Sequence, residues 1–568
     1  ILAVDFPPIT DLPQHLAQVE LFLRAIAGDD RYVIQWFTPY SLGYAPLLLL
    51  RIVLAPEAMP RAAMIFFACA WVAAAAWIAW RRGRPLAALP LVSFLFFNHV
   101  TYWGFLTFLF GWPLFLLWVD ACTRERDEPA WRSALRLGIL ALLLFVAHAL
   151  WYAMAMAYAG IAWLLRRPFA WRWLLLRGGA VLPAGILALA WYPKLTVGVF
   201  AKPAVWSTMP WERLTPVWLA DAALGALKGT AEPILLLLIA GWLVVAVVQH
   251  RRELRARCDR PLLLAAALLI GAALVLPTSA RNTIEFATRW FPFGLVALVL
   301  ALPVPRFQPA LLRIVAFAFL LAGVGATASG WRWIDEREQA ALAAALRAIP
   351  EGRSVLGLDF ARQSEVIEGR PFMQQHGYAQ AMRRADVNFS FAHFPPSFVI
   401  EGRTTFDVWD HPWKPGLEWF PKEVDGRDFA AFDFALIHGE PATHAFAERL
   451  GFLDPLTGTG TWRTYRIDGP RLADRIARYG IDLVPASDPV IEQNAQQLAS
   501  RMQPAQVDAL RRLGKRFVDA GARTDVKQWL QCVELTACRA GLLVSNDLET
   551  AARMVTQLGA AGPGDLPP

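Results

Sequence analysis

The chain has 568 residues, of which 56% are hydrophobic, and a mean hydropathy of +0.37, more apolar than the roughly 45–50% of an ordinary soluble domain. Its formal charge of +8 does not point to nucleic acid, because the arginines stand at the ends of apolar runs, where membrane topology accounts for them. Five cysteines are too few for a disulfide framework. The lack of a Walker A loop, a GxGxxG after a strand, an HExxH and a CxxC argues against a cytoplasmic nucleotide-driven pump.

The sequence opens at Ile1 with no signal-peptide pattern, and residues 1–4 read as the end of a first membrane helix that precedes them. Next comes Asp5-Phe-Pro-Pro-Ile-Thr-Asp11-Leu-Pro-Gln-His15, which predicts a short helix starting near Pro13. Residues 40–54 are apolar but punctuated by Pro39, Pro46 and Pro56. Counting them as a span would invert every later loop, so they read as a helix lying at the membrane surface.

A span needs roughly 20 apolar residues. Ten stretches qualify, some only with their flanks: 60–80, 86–97, 105–121, 135–147, 150–165, 173–191, 233–248, 262–276, 290–304 and 309–329. Basic connections (81–84, 124–136, 166–177, 249–260, 306–313) alternate with connections lacking clustered Lys and Arg (98–102, 148, 192–232, 277–289). The positive-inside rule makes the first class cytoplasmic and the second external. Residues 135–165 have basic ends on both sides, which calls for a hairpin turning near His148. The expected fold is a polytopic α-helical membrane protein (1–333), an extracytoplasmic α/β domain (334–468) and a helical tail (469–568). In the α/β domain, residues 354–360, 432–438 and 461–467 have strand pattern, 443–452 helical spacing, and 370–419 is loop-rich.

Ionisable residues near lipid often mark function, and here they gather on the external side. Asp11, at the start of the short helix, suits a general base or a ligand for a divalent metal ion; the alternative is a helix cap. His15, His99 and His148 each fall in an external turn, which suggests a common site; the alternative is that they satisfy helix ends. Arg281 and Arg289 run against the positive-inside bias. Phosphate binding explains them, as does a salt bridge to Glu285. Lys202, Arg213 and Lys228 are weaker candidates of the same kind.

The combination of an acidic first external loop, Trp36-Phe-Thr-Pro-Tyr40 with Gly43-Tyr44, Gly104-Phe-Leu-Thr-Phe-Leu-Phe-Gly111, many spans and an external α/β domain resembles the GT-C superfamily. These are membrane glycosyltransferases that use polyprenyl-phosphate sugars, among them the protein O-mannosyltransferase and lipid A aminoarabinose transferase families. The resemblance covers residues 1–468 and implies a bacterial inner-membrane enzyme. It places the catalytic aspartate on Asp11, with Asp5 the alternative; the family pattern is an acidic pair followed by an aromatic, and here Leu12 follows Asp11. It implies a polyprenyl-phosphate sugar donor held by Arg281 and Arg289, membrane lipids as partners, an unspecified acceptor and no nucleic acid. The rival expectation is a lipid or glycan transporter or a membrane scaffold. In the tail, Glu534-Leu-Thr-Ala-Cys-Arg539-Ala-Gly541 is faintly similar to the segment around the third zinc ligand of M48-type metallopeptidases. Without an HExxH it implies no zinc site.

Overall fold

The computed structural model describes residues 1–123, 129–165, 171–196, 201–402, 414 and 416–481. The tail motif around Glu534 and the connections 124–128 and 166–170 lie outside them. Residues 1–483 form one compact unit.

Among the described residues six helices are long and apolar enough to cross a membrane: Pro56–Arg81, Leu106–Thr123, Ala130–Ala147, Leu175–Leu195, Ala231–His250 and Pro309–Arg337. Shorter apolar helices occupy Ser41–Val53, Ala149–Leu164, Arg260–Val275 and Thr288–Ala301. The chain is thus a helical membrane protein carrying a small sheet region. The expected span at 86–97 is broken into a 3-10 turn at Leu86–Ala88 and a six-residue helix at Leu89–Phe94. Its terminator is Asn98, whose side-chain amide donates to the Leu95 carbonyl and whose oxygen accepts from the Val100 N–H. This restarts the chain as the helix His99–Trp103.

Side-chain chemistry separates two ends of the bundle. At one end the basic connections meet: Arg82 pairs with Asp259 at 2.6 Å and reaches Thr123. Arg84 donates to the carbonyls of Arg257, Leu300, Ala301 and Leu302, and His250 bonds the Val304 carbonyl. Arg84 thus satisfies carbonyls that helix ends leave open. At the other end His148 is the single extended residue between Ala130–Ala147 and Ala149–Leu164, and its Nδ1 accepts from the Leu150 N–H. Ser133 and Tyr158 on these two helices reach Arg177 and Pro261 respectively, so the pair returns toward the basic end as a hairpin.

Between the ends the bundle is packed with aromatic rings. Trp71, Trp112, Phe115, Trp151 and Phe293 are almost wholly buried and touch one another at centroid distances of 5.0 to 5.9 Å. Gly111 allows this, because a Cβ there would lie 2.1 Å from the Trp151 ring.

The sheet has five strands in the order β3-β2-β5-β7-β6: β2 (Ser354–Asp359), β3 (Asp386–Val387), β5 (Phe434–His438), β6 (Leu453–Pro455) and β7 (Trp462–Ile467). β2 runs parallel to β3 and β5, and β7 antiparallel to β5 and β6. A separate antiparallel pair joins β1 (Tyr32–Ile34) to β4 (Val399–Glu401). The region 370–419, read from sequence as loops, contributes β3, β4 and the helix Gly377–Arg383. The helix Gly469–Tyr479 buries Leu472 in the sheet's own core. It therefore belongs with the sheet rather than with a tail beginning at 469.

The helix Leu12–Ile26 joins bundle and sheet region. It is buried on nearly every side. Gln14 donates to the Gln374 side chain and the Phe389 carbonyl and accepts from the Phe391 N–H. One turn on, Gln18 donates to the Val399 carbonyl and accepts from its N–H. The helix Gly377–Arg383 lies so close that a Cβ on Gly377 would sit 3.1 Å from Pro13 and Gln14.

Candidate functional site

Where the Leu12–Ile26 helix, the short apolar helix Ser41–Val53, the bundle and the sheet region meet, they enclose a cavity of about 580 Å³. Asp11, His15, His148 and Arg289 all line it, with Tyr40, Tyr44 and Lys202. Three segments far apart in sequence thus bring four of the seven expected site residues together.

Asp11 is fixed through its backbone. Its N–H donates to the Trp103 carbonyl at 3.0 Å, and Thr10 donates to Tyr102 at 2.9 Å. Gly104 makes this possible: its φ is +81°, and a Cβ there would lie 2.8 Å from the Asp11 nitrogen. Asp11 occupies the N-cap position, yet its side chain makes no capping bond. The cap explanation therefore fails, and the carboxylate is left facing the cavity. Burial raises its pKa to about 7, against the opposing pull of the Arg289 charge. A carboxyl poised near neutrality suits proton transfer.

His15 lies one turn further on. Its Nδ1 is 2.9 Å from the Tyr44 hydroxyl, and its ring also bonds the Gly104 backbone. Burial lowers its pKa to about 4, so it is neutral at physiological pH and holds Tyr44 in place. His148 packs edge-on against Tyr40 and Phe108.

Arg289 is 4% exposed. Its guanidinium lies over Phe105 at 4.4 Å and Phe108 at 5.2 Å and donates to the backbone carbonyls of Glu285 and Ile284. The Glu285 carboxylate binds Thr288 instead, so the salt bridge proposed as the alternative role for Arg289 is not formed. A buried guanidinium held by carbonyls and rings keeps its full charge for an anion.

The other expected residues go elsewhere. Asp5 is largely exposed and pairs with Arg61 at 3.1 Å, because Phe6, Pro7 and Pro8 are buried and turn it away from the cavity. It is not part of the site. His99 faces a second cavity. Asn282, Thr283 and Ile284 line the first cavity, whereas Arg281 does not. Among the described residues no group of three or more His, Cys, Asp or Glu converges closely enough to hold a metal ion.

Sequence reasoning missed two features. Glu418 adds a second carboxyl to the cavity, raised to about 7 by burial, with Oε2 unbonded. Phe389, Phe391, Phe394 and Phe398 make an aromatic wall. The signal for the wall was the recurrence of Phe in Phe389-Ser-Phe-Ala-His-Phe-Pro-Pro-Ser-Phe398, too dense in aromatics for an ordinary solvated loop.

No protein-family model matches the chain, and no curated protein or solved structure shows significant similarity to it.

Proposed function

We propose that the protein is a membrane glycosyltransferase of the GT-C kind, transferring a sugar from a polyprenyl-phosphate donor to a hydroxyl acceptor. The observation that carries this reading is one cavity holding an unbonded carboxyl with a pKa near 7 and a buried, carboxylate-free arginine, bounded by aromatic walls and the apolar surface helix. Asp11 takes the proton of the acceptor hydroxyl. The acceptor oxygen then attacks the anomeric carbon on the face opposite the phosphate, the bond from that carbon to the phosphate oxygen breaks, and configuration inverts. The departing polyprenyl phosphate carries its negative charge toward Arg289 and Lys202, and Asp11 returns its proton to water. The mechanism needs no metal ion. Positive-inside topology then puts the basic end in the cytoplasm of a bacterial inner membrane and the sheet region outside.

A transporter calls for polar groups along a central path. The centre of this bundle is instead the cluster around Trp71, Trp112 and Trp151, which favours the enzyme.

Mass spectrometry of lipid-linked sugars in a deletion strain tests the reading. The wild-type gene should clear an accumulating polyprenyl-phosphate sugar, and Asp11→Asn should not, although the variant inserts normally. In vitro, the wild-type rate should rise about tenfold per pH unit below pH 7 and level off above it, because protonated Asp11 cannot accept a proton. Full complementation by Asp11→Asn would overturn the assignment.

A further inference from the structure

The apolar helix Arg260–Val275 starts at the basic end of the bundle, beside the Arg82–Asp259 pair. Its 16 residues reach about 24 Å at roughly 1.5 Å per residue, less than the roughly 30 Å of hydrocarbon in a bilayer. Its far end, where Val275 is 63% exposed, therefore stops short of the opposite headgroups. The last carbonyls of a helix have no partner within it, Pro277 has no N–H to offer Ala273, and water does not serve backbone groups at that depth. Arg213 does. Its guanidinium, 1% exposed, donates to the carbonyls of Ala273 at 2.9 Å and Leu276 at 2.6 Å, and to that of Thr208 at 2.9 Å. The sequence placed Arg213 among the weaker phosphate candidates; the structure spends it on closing a helix end.

The segment that carries Arg213 is tied to the same helix end at three further points. Trp206 Nε1 donates to the Val275 carbonyl at 3.2 Å, the Ser207 N–H donates to the Thr278 hydroxyl at 3.2 Å, and Val205 pairs with Ser279 in an antiparallel bridge. Held in this way, residues 205–217 turn Trp206, Met209, Trp211, Leu214 and Val217 outward, with Trp211 69% and Val217 72% exposed. Between Lys202 and Asp221 only Glu212 and Arg213 are charged. Arg213 is buried, and Glu212 Oε2 accepts the Met209 N–H at 2.7 Å. Five large apolar side chains facing outward beside one exposed charge are not what a loop in water presents.

We propose that residues 205–217 are an interfacial anchor, seated in the headgroup–acyl boundary of the leaflet away from the basic connections, with these five side chains in contact with phospholipid. The occupant follows from continuity: the patch adjoins the exposed Val275, at a depth where the helix Arg260–Val275 is too short to reach water. Tryptophan suits this boundary because its ring is apolar and its N–H polar, and the exposed Glu212 holds the segment at the boundary rather than deeper in hydrocarbon. The connection 192–232, expected from sequence to lie outside the membrane, thus dips partly into lipid. The anchor rests on the helical membrane architecture and not on the glycosyltransferase reading, which it deepens in one respect. Lys202, three residues before Val205, lines the first cavity and donates to Asn282 at 3.2 Å, so the anchor sets that cavity's rim at the depth of a lipid's phosphate.

Photo-cross-linking of the full chain tests the proposal, in phosphatidylcholine nanodiscs doped with a phosphatidylcholine that carries a diazirine near the top of one acyl chain. Mass spectrometry should find lipid adducts on the peptide spanning 205–217 and on the helix Ala231–His250, and none on the helix Pro441–Arg449 of the sheet region. The double variant Trp211→Asp, Leu214→Asp alters two exposed side chains, so it should fold, and it should cut the 205–217 adduct by about threefold or more relative to Ala231–His250 in the same sample, because carboxylates are costly at this depth. Absence of adduct from 205–217 while Ala231–His250 is labelled would overturn the proposal, as would an unchanged adduct in the double variant. A second copy of the chain seated on the patch would also overturn it, by excluding lipid from 205–217 and appearing as a dimer in native mass spectrometry. Asp11→Asn should leave the adduct intact. If that variant keeps full transfer while the adduct forms, the transferase mechanism falls and the anchor stands; if it abolishes transfer while no adduct forms, the anchor falls alone.

Discussion

The centre of the bundle and the seam between the Leu12–Ile26 helix and the sheet region are both buried, but by opposite means. In the bundle Trp71, Trp112, Phe115, Trp151 and Phe293 fill space ring against ring. In the seam polar groups are buried alongside the apolar ones: Gln14, Gln18, Gln374, His376, Asn388 and Ser390. Lipid supplies no drive for apolar groups to leave it, so helices in a membrane associate through shape and close packing. The seam joins two units that each have water as an alternative, and amide side chains bonded to specific backbone groups fix one register where apolar contact would tolerate several. The cavity sits where the two kinds of packing meet. Asp11 comes to it from the start of the seam helix and Arg289 from the bundle.

Truncation in each region should therefore fail differently. Trp151→Ala has the largest expected effect. The ring is wholly buried and touches Phe108, Trp112, Phe115, Trp290 and Phe293, so its loss should cost about 3–5 kcal/mol, read as a fall in the unfolding midpoint of the whole protein in detergent. Gln14→Leu should come next. It keeps volume but strands the Phe391 N–H and leaves the Phe389 carbonyl only its bond to His376, at about 1–3 kcal/mol for a buried group left unpaired. Its signature should be local: faster proteolysis between the helix and the sheet region while the bundle stays folded. If Gln14→Leu instead lowers the global midpoint as Trp151→Ala does, the two regions are one cooperative unit and the contrast dissolves. The smallest effect should come from Asp5→Asn. Its ion pair with Arg61 is exposed on both sides, and such pairs contribute about 0–1 kcal/mol. Stability and complementation of the deletion strain should both be close to wild type, and loss of complementation would return Asp5 to the catalytic role.

What was legible in the sequence follows from local physics. Apolar run length marked the helices, and the alternation of basic and non-basic connections matches the gathering of Arg82, Arg84 and His250 at one end and His148 at the other. Strand pattern located β2, β5 and β7, and Asp11, His15, His148 and Arg289 stood out because ionisable side chains near lipid are costly. Other features depend on partners far away in the chain. The break at Asn98 came from a side chain competing for helix carbonyls, which hydropathy does not register. β1 and β4 are three residues each and exist only as a pair across the seam. Sequence also left Asp5 and Asp11 as alternatives and grouped His99 with His15 and His148. Tertiary structure separated them: the close approach permitted by Gly104 turns Asp11 inward, the buried Phe6-Pro-Pro turns Asp5 out, and Trp103 stands between the two cavities. A sequence states which groups are charged and which side of a bilayer they favour, because those are properties of single residues and short runs. Which of them share a cavity is decided by how segments hundreds of residues apart pack, and no local pattern encodes that.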